Sequence, residues 1–146
     1  MKTSDLEIIV QFPKITHIFM GKMMHGFQSS RIGINLNRTQ GRTLLFLYDR
    51  GETTMTALHR AIGLEKGSLT SVIDQLIKKK LVERKSDEAD RRKVIITLTD
   101  TGRKKAEILR MEIAGHIKNN LERLPVEDRK KFYRAVEALM DISRKL

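Results

Sequence analysis

The segment from Lys80 to Lys105, KLVERKSDEADRRKVIITLTDTGRKK, constrains the fold more than any other part of this chain. Leu81 and Val82 open one short apolar run, and Val94, Ile96 and Leu98 share one face of a second. That alternation predicts two β-strands. Between them, Ser86 to Arg92 holds no apolar residue except Ala89, so this stretch cannot be core. Two strands joined by a polar tip that carries Arg91 and Arg92 form a protruding hairpin, shaped to enter a DNA groove. A long helical pattern begins directly after it, with Thr99 as N-cap.

The hairpin gains its meaning from what precedes it. Thr56 is read as the cap of a helix whose Ala57, Leu58, Ala61 and Ile62 face inward, and Gly63 closes it. Lys66 to Lys79 forms the next helix, with Leu69, Val72, Ile73 and Leu76 on its buried face. Ser68, Ser71, Gln75 and Lys78 line the opposite face at steps of three, four and three. Helix, tight glycine-containing turn and helix form a helix-turn-helix pattern. Many short helical pairs share that pattern; a basic hairpin immediately downstream makes it a winged helix. Further upstream, Arg31 to Asn35 with Gly33 reads as a loop. Asn37 then caps a helix running to about Asp49, with Leu44, Leu45, Leu47 and Tyr48 as its core and Gly51 at its end.

Helical segments remain on both sides of this lobe. Ile8, Phe12, Ile15, Phe19, Met23 and Phe27 recur at steps of three and four, with Pro13 marking a start or a kink. A second stripe through Ile9, Met20 and Met24 means that more than one face needs cover. After Thr99, Ala106, Leu109, Ile113, Ile117, Leu121 and Leu124 stripe a helix ending near Arg123, about 36 Å long at 1.5 Å per residue. Pro125 begins a last helix bearing Phe132, Val136, Leu139 and Met140. So small a winged lobe cannot cover all of these faces, and a two-fold homodimer is the economical way to bury them. Phe12, Ile15, Phe19, Leu121, Phe132, Val136 and Leu139 are the expected interface residues. The expectation is therefore one mainly α unit over 1–146 with a small β-hairpin wing. Its DNA-binding lobe is 36–102, and 1–30 with 103–146 form a helical dimerisation lobe.

Charge points the same way. Across the 146 residues, 29 Lys and Arg face 18 Asp and Glu, a net +11. Eleven basic and five acidic residues fall between Lys78 and Lys105, so more than half of the excess lies on the hairpin and its flanks. A polyanionic partner fits that placement better than a merely solvated face. There is no cysteine, which excludes disulfides, thiolate metal sites and cysteine-based peroxide sensing. No apolar run approaches the roughly 18 residues of a membrane span. Asp5 and Glu7 stand where a signal peptide would be apolar, so a cytoplasmic location is expected. No Gly-x-Ser-x-Gly occurs, and Gly63-x-x-x-Gly67 lacks the Lys-Ser/Thr pair of a P-loop, so no enzyme is expected.

The hairpin region closely resembles the MarR family of transcription regulators. The resemblance is carried by Leu81-Val82-Glu83-Arg84, then Asp87-x-x-Asp90-Arg91-Arg92, then Leu98-Thr99-x-x-Gly102. Three blocks in one order make it specific, and Leu36-Asn37 with Gln40 resembles the family's Leu-Thr-x-x-Gln helix opening. One departure stands out: Lys80 occupies the position where the family usually has glycine. The helix must end without its left-handed glycine, or Lys80 must take that strained conformation itself.

The resemblance implies a sequence-specific DNA-binding transcription regulator, a repressor acting as a homodimer on pseudo-palindromic double-stranded DNA. Non-specific architectural binding of nucleic acid is the rival reading. Lys66, Ser68, Thr70, Ser71 and Gln75 are the expected major-groove contacts; Gln can pair with adenine, and Lys66 suits a phosphate. The family pattern makes Arg92 the minor-groove arginine, and a weakly hydrated guanidinium suits a narrow groove of concentrated negative potential. Arg91 suits a phosphate. Asp90 is read two ways, as the carboxylate that orients an arginine or as a turn residue satisfying backbone N–H groups. The resemblance also implies a small aromatic or phenolic effector between helices and lobe, with His17, Met20 and Met24 as candidate contacts, although a Met stripe is more often core. His17, His25, His59 and His116 show no metal-ligand spacing, so neither metal nor cofactor is expected.

Overall fold

Side-chain caps set where α-helices begin at Asn37, Thr54 and Thr99. In a computed structural model, residues 3–29, 31–87, 90 and 93–146 are described, the Thr3 and Lys66 side chains aside. The elements run α1 (Thr3–Met23), α2 (Arg38–Arg50), β1 (Thr53–Thr54), α3 (Met55–Ile62), α4 (Lys66–Lys78), β2 (Val82–Ser86), β3 (Val94–Leu98), α5 (Asp100–Glu122) and α6 (Val126–Ser143). Asn37 opens α2 through a full capping box: its side chain accepts from the Gln40 N–H, and Gln40 accepts from the Asn37 N–H. Thr99 caps α5 by accepting from the Gly102 N–H at 2.9 Å.

The chain divides into two compact units, Ser29–Glu112 and Met1–Gln28 with Ile113–Leu146. The first is a winged helix. Its sheet has the order β1-β3-β2, all antiparallel, with Val82 opposite Leu98 and Ser86 opposite Val94 in the hairpin. The third strand, β1, pairs Thr53 with Ile96 and Thr54 with Ile95. Two residues carry too little alternation to betray it in the sequence. The sheet and helices α2, α3 and α4 close over one core of Leu44, Leu47, Leu58, Leu69, Ile73, Leu76, Leu81, Val82 and Ile96.

Four local expectations need correction. The cap of α3 is Thr54, which accepts from the Ala57 N–H at 3.2 Å, and not Thr56. Ala57 and Ala61 are exposed, because Leu58 and Ile62, one turn apart, define the inward stripe and the alanines lie off it. Pro13 does not start α1, which begins ten residues earlier at Thr3. Within α2, Leu45 and Tyr48 are only half-buried, while Thr43 is fully buried beside Leu44.

The second unit contains α1, the later turns of α5, and α6. Phe19 stacks on Phe132 with centroids 5.5 Å apart, and the Phe27 ring meets His116 edge-on at 5.4 Å. Asn120 donates to the Met23 carbonyl at 2.9 Å and satisfies a carbonyl at the end of α1. Leu121 is buried inside this unit. Among the described residues no helix is long and apolar enough to cross a membrane.

Candidate nucleic-acid interface

The face of α4 turned away from the core is the polar one. Ser68, Thr70, Ser71, Gln75 and Lys78 are all exposed, whereas Leu69, Ile73 and Leu76 on the other side are almost fully buried. This division follows from helical geometry, since residues three and four apart share a face. Lys66 opens the helix, after an N-cap at Glu65 that makes no side-chain capping bond. The first-turn N–H groups therefore lack a side-chain cap, leaving the positive end of the helix dipole available to a phosphate.

Gln75 is exposed but not loose. Its Oε1 accepts from Gln40 Nε2 at 2.6 Å, and its own Nε2 donates to Ser71 Oγ at 3.3 Å. Gln40 is buried, 3% exposed, and its Oε1 also accepts from Lys79 Nζ at 3.2 Å. Lys79 donates in addition to the Asn35 carbonyl. In the sequence, Gln40 stands out only as part of the Leu36-Asn37-x-x-Gln40 helix opening that resembles the MarR family. Its link to Gln75, across 35 positions, leaves no trace in local spacing.

The wing is anchored at the exit of α4. Lys80 stands at φ +59°, the sole non-glycine residue at positive φ among those described, so it takes the left-handed conformation itself. Its N–H donates to the Ile77 carbonyl at 2.8 Å, and the Leu81 N–H donates to Leu76 at 3.0 Å. These two bonds form a Schellman motif, completed by the buried Leu76 and Leu81 side chains. Thr99 then ties both strands down: its Oγ1 donates to the Lys80 carbonyl at 2.7 Å, and its N–H to the Leu81 carbonyl at 3.1 Å. Gly102 packs so closely on Leu81 that an added Cβ would lie 1.8 Å from the Leu81 oxygen. The end of α4, the base of the wing and the start of α5 thus converge on Lys80 and Leu81.

Toward the tip, Arg84 on β2 pairs with Asp74 on α4 at 2.7 Å, a second tie between wing and helix. Asp87 Oδ1 accepts from the Asp90 N–H at 3.1 Å, so the Asx-type turn here is made by the side chain of Asp87. Asp90 in turn accepts through its carbonyl from the Lys93 N–H at 2.8 Å, and its carboxylate lies 3.9 Å from Lys93 Nζ. Arg91 and Arg92 lie outside the described residues. Glu83, hydrogen-bonded to Lys85 at 3.0 Å, raises the Lys85 ammonium above the usual lysine value, first through that bond and then through its charge. Lys85 therefore stays cationic at any physiological pH.

A family model for the MarR family matches residues 36–94, which run from the loop before α2 into β3. Bacillus subtilis YwhA, an uncharacterised helix-turn-helix transcriptional regulator, is 29% identical over 105 residues, 72% of this chain and 76% of its own length. Over residues 36–94, the winged-helix part of the chain, the match is to the MarR family. Reduced MarR of Escherichia coli shares the fold with a TM-score of 0.75 at 18% identity, covering 87% of this chain and 94% of that one. Bordetella bronchiseptica BpsR, whose DNA binding is regulated by 6-hydroxynicotinic acid, is similar at a TM-score of 0.63 and 22% identity, covering 87% and 98%. The fold is thus a winged helix, and the matches to the winged unit are transcription regulators of the MarR family.

Outside the matched segment, the chain keeps much apolar surface in water. Phe12 and Ile15 of α1 and Val136 and Leu139 of α6 are exposed, and Phe19 and Phe132 are half-buried against each other. Leu121 faces its own unit's interior instead. His17 and Met20 are exposed, and Met24 is half-buried. A cavity of about 330 Å³ in the same unit is lined by other residues, among them Leu121, Val126, Arg129 and Tyr133.

Proposed function

We propose that this regulator binds pseudo-palindromic operator DNA as a homodimer and represses by occluding a promoter. Each subunit sets α4 in the major groove, with Ser68, Thr70, Ser71 and Gln75 toward base edges and Lys66 toward a phosphate. The wing tip reaches the flanking minor groove, with Arg92 inserted, Arg91 on phosphate and Asp90 orienting an arginine. Two-fold symmetry then calls for half-sites about 34–36 Å apart. The observation that carries this reading is the exposed polar face of α4, held rigidly to a basic wing by Lys80, Thr99 and Arg84. Phe12, Ile15, Phe19, Phe132, Val136 and Leu139 supply the dimer contacts, with Leu121 packing beneath them.

A small aromatic or phenolic effector releases the DNA, with His17, Met20 and Met24 as its contacts. The regulation of BpsR by 6-hydroxynicotinic acid supports this class of ligand. Nothing in this scheme calls for catalysis, and the site of action is the cytoplasm, where the DNA is.

Fluorescence anisotropy against the DNA upstream of the gene and against scrambled DNA, at two salt concentrations, tests the proposal. The expected result is a preference of ~10³ or more that persists as salt rises. Equal affinities that collapse together with salt would establish the non-specific architectural reading in its place.

A further inference from the structure

We infer that Gln40 is a positioning residue that sets the hydrogen-bonding polarity of the DNA-reading face, so that Gln75 and Ser71 present donors and read acceptor edges. This rests on the proposed placement of α4 in the major groove.

The argument is one of forced direction. The Asn37 N–H and the Lys79 ammonium can only donate, and both meet Gln40 at the same atom, at 3.1 and 3.2 Å. That atom must be the carbonyl oxygen. Gln40 therefore turns its amide nitrogen the other way, where it lies 2.6 Å from the Gln75 side chain. The Gln75 atom facing it must in turn be the oxygen, which leaves the Gln75 nitrogen outward. One of its N–H groups reaches Ser71 Oγ. The other has no partner among the described residues, and Ser71, having accepted, keeps its hydroxyl proton for an outside acceptor. A partly buried ammonium–amide contact thus imposes one polarity along Lys79, Gln40, Gln75 and Ser71, each bond strengthening the next.

The consequence for reading is specific. A free glutamine pairs bidentately with adenine because its oxygen accepts from N6 while its nitrogen donates to N7. Here the oxygen is turned toward Gln40, and only N–H groups face the groove. The bases favoured opposite Gln75 are those whose major-groove edge offers acceptors only, guanine through O6 and N7 or thymine through O4, whereas adenine sets an N6 donor beside its N7 acceptor.

Gln40→Glu is the decisive variant. A glutamate at this position keeps the capping box and the Lys79 contact, yet offers Gln75 only acceptors. The Gln75 amide must then turn its nitrogen inward and its oxygen outward. Selection from a randomised duplex pool, sequenced for wild type, Gln40→Glu, Gln40→Met and Gln75→Ala, reads the outcome, with thermal melts to confirm folding. Wild type should enrich guanine or thymine about tenfold at one position of each half-site, and Gln75→Ala should lose that preference alone. Gln40→Glu should move it to adenine or cytosine, whose exocyclic amines donate, and Gln40→Met should blur it. An unchanged preference in both Gln40 variants, with Gln75→Ala altered, would overturn the inference while leaving sequence-specific regulation intact. Adenine selected by wild type at the Gln75 position would overturn it equally. No sequence enriched by wild type would instead sink the proposed function, and this inference with it.

Discussion

The winged unit and the helical unit are built from similar side chains with opposite results. In Ser29–Glu112, thirteen apolar residues form one closed core, and most of them have no measurable contact with solvent. In the helical unit, α6 contains not one buried residue, and α1 leaves Ile8 69% and Val10 73% exposed. A sheet and three short helices can enclose a core by themselves, because they cover one another from several directions. Long helices bury only the stripes that meet, and here further apolar stripes have no cover within their own unit. The difference teaches where stability resides in a single chain and where the proposed dimer would add to it. It also separates two jobs, since the surface proposed to read DNA lies on the self-sufficient unit.

The largest effect expected is at Gly102. Gly102→Ala drives a methyl into the Leu81 carbonyl, a backbone atom already fixed by Thr99 and the Schellman motif. We expect a loss of about 3 kcal/mol or more in urea unfolding, with the winged unit affected first. A cost below about 1 kcal/mol would show that the junction yields, and the contrast between a rigid and an incomplete unit would weaken.

The next tests the other side. Leu139 is 47% exposed on α6, so Leu139→Asp should leave the core of the winged unit unaltered. It should raise the dimer dissociation constant by at least about 100-fold, read by analytical ultracentrifugation, since a charge buried at an apolar contact costs several kcal/mol. A wild-type protein that stays monomeric at high concentration would break the comparison, because the apolar faces of α1 and α6 would then tolerate water.

The smallest effect is a gain. Lys80 holds a conformation that glycine adopts without steric cost, so Lys80→Gly should stabilise the winged unit by about 0.5–1 kcal/mol, the relief of strain exceeding the added chain entropy. A thermal melt showing a rise of a few degrees would sharpen the picture of a junction that holds Lys80 against its preference.

The sequence by itself determined the elements whose signals are local. Alternation in Leu81–Val82 and Val94–Leu98 predicted the hairpin, and Asn37 and Thr99 marked helix starts through contacts three residues long. The departure at Lys80 was also visible, as a choice between two conformations. Only the tertiary structure made that choice, because burial of Leu81 against Leu76 and the Thr99 bond reward the left-handed turn despite its strain. It likewise supplied β1, whose two residues are held by β3, and narrowed the inward face of α3 to Leu58 and Ile62, without the alanines. The Gln40–Gln75 contact belongs to the same class. Periodicity reports which residues share a face of one element, whereas a hydrogen bond between two elements depends on how the chain returns to itself.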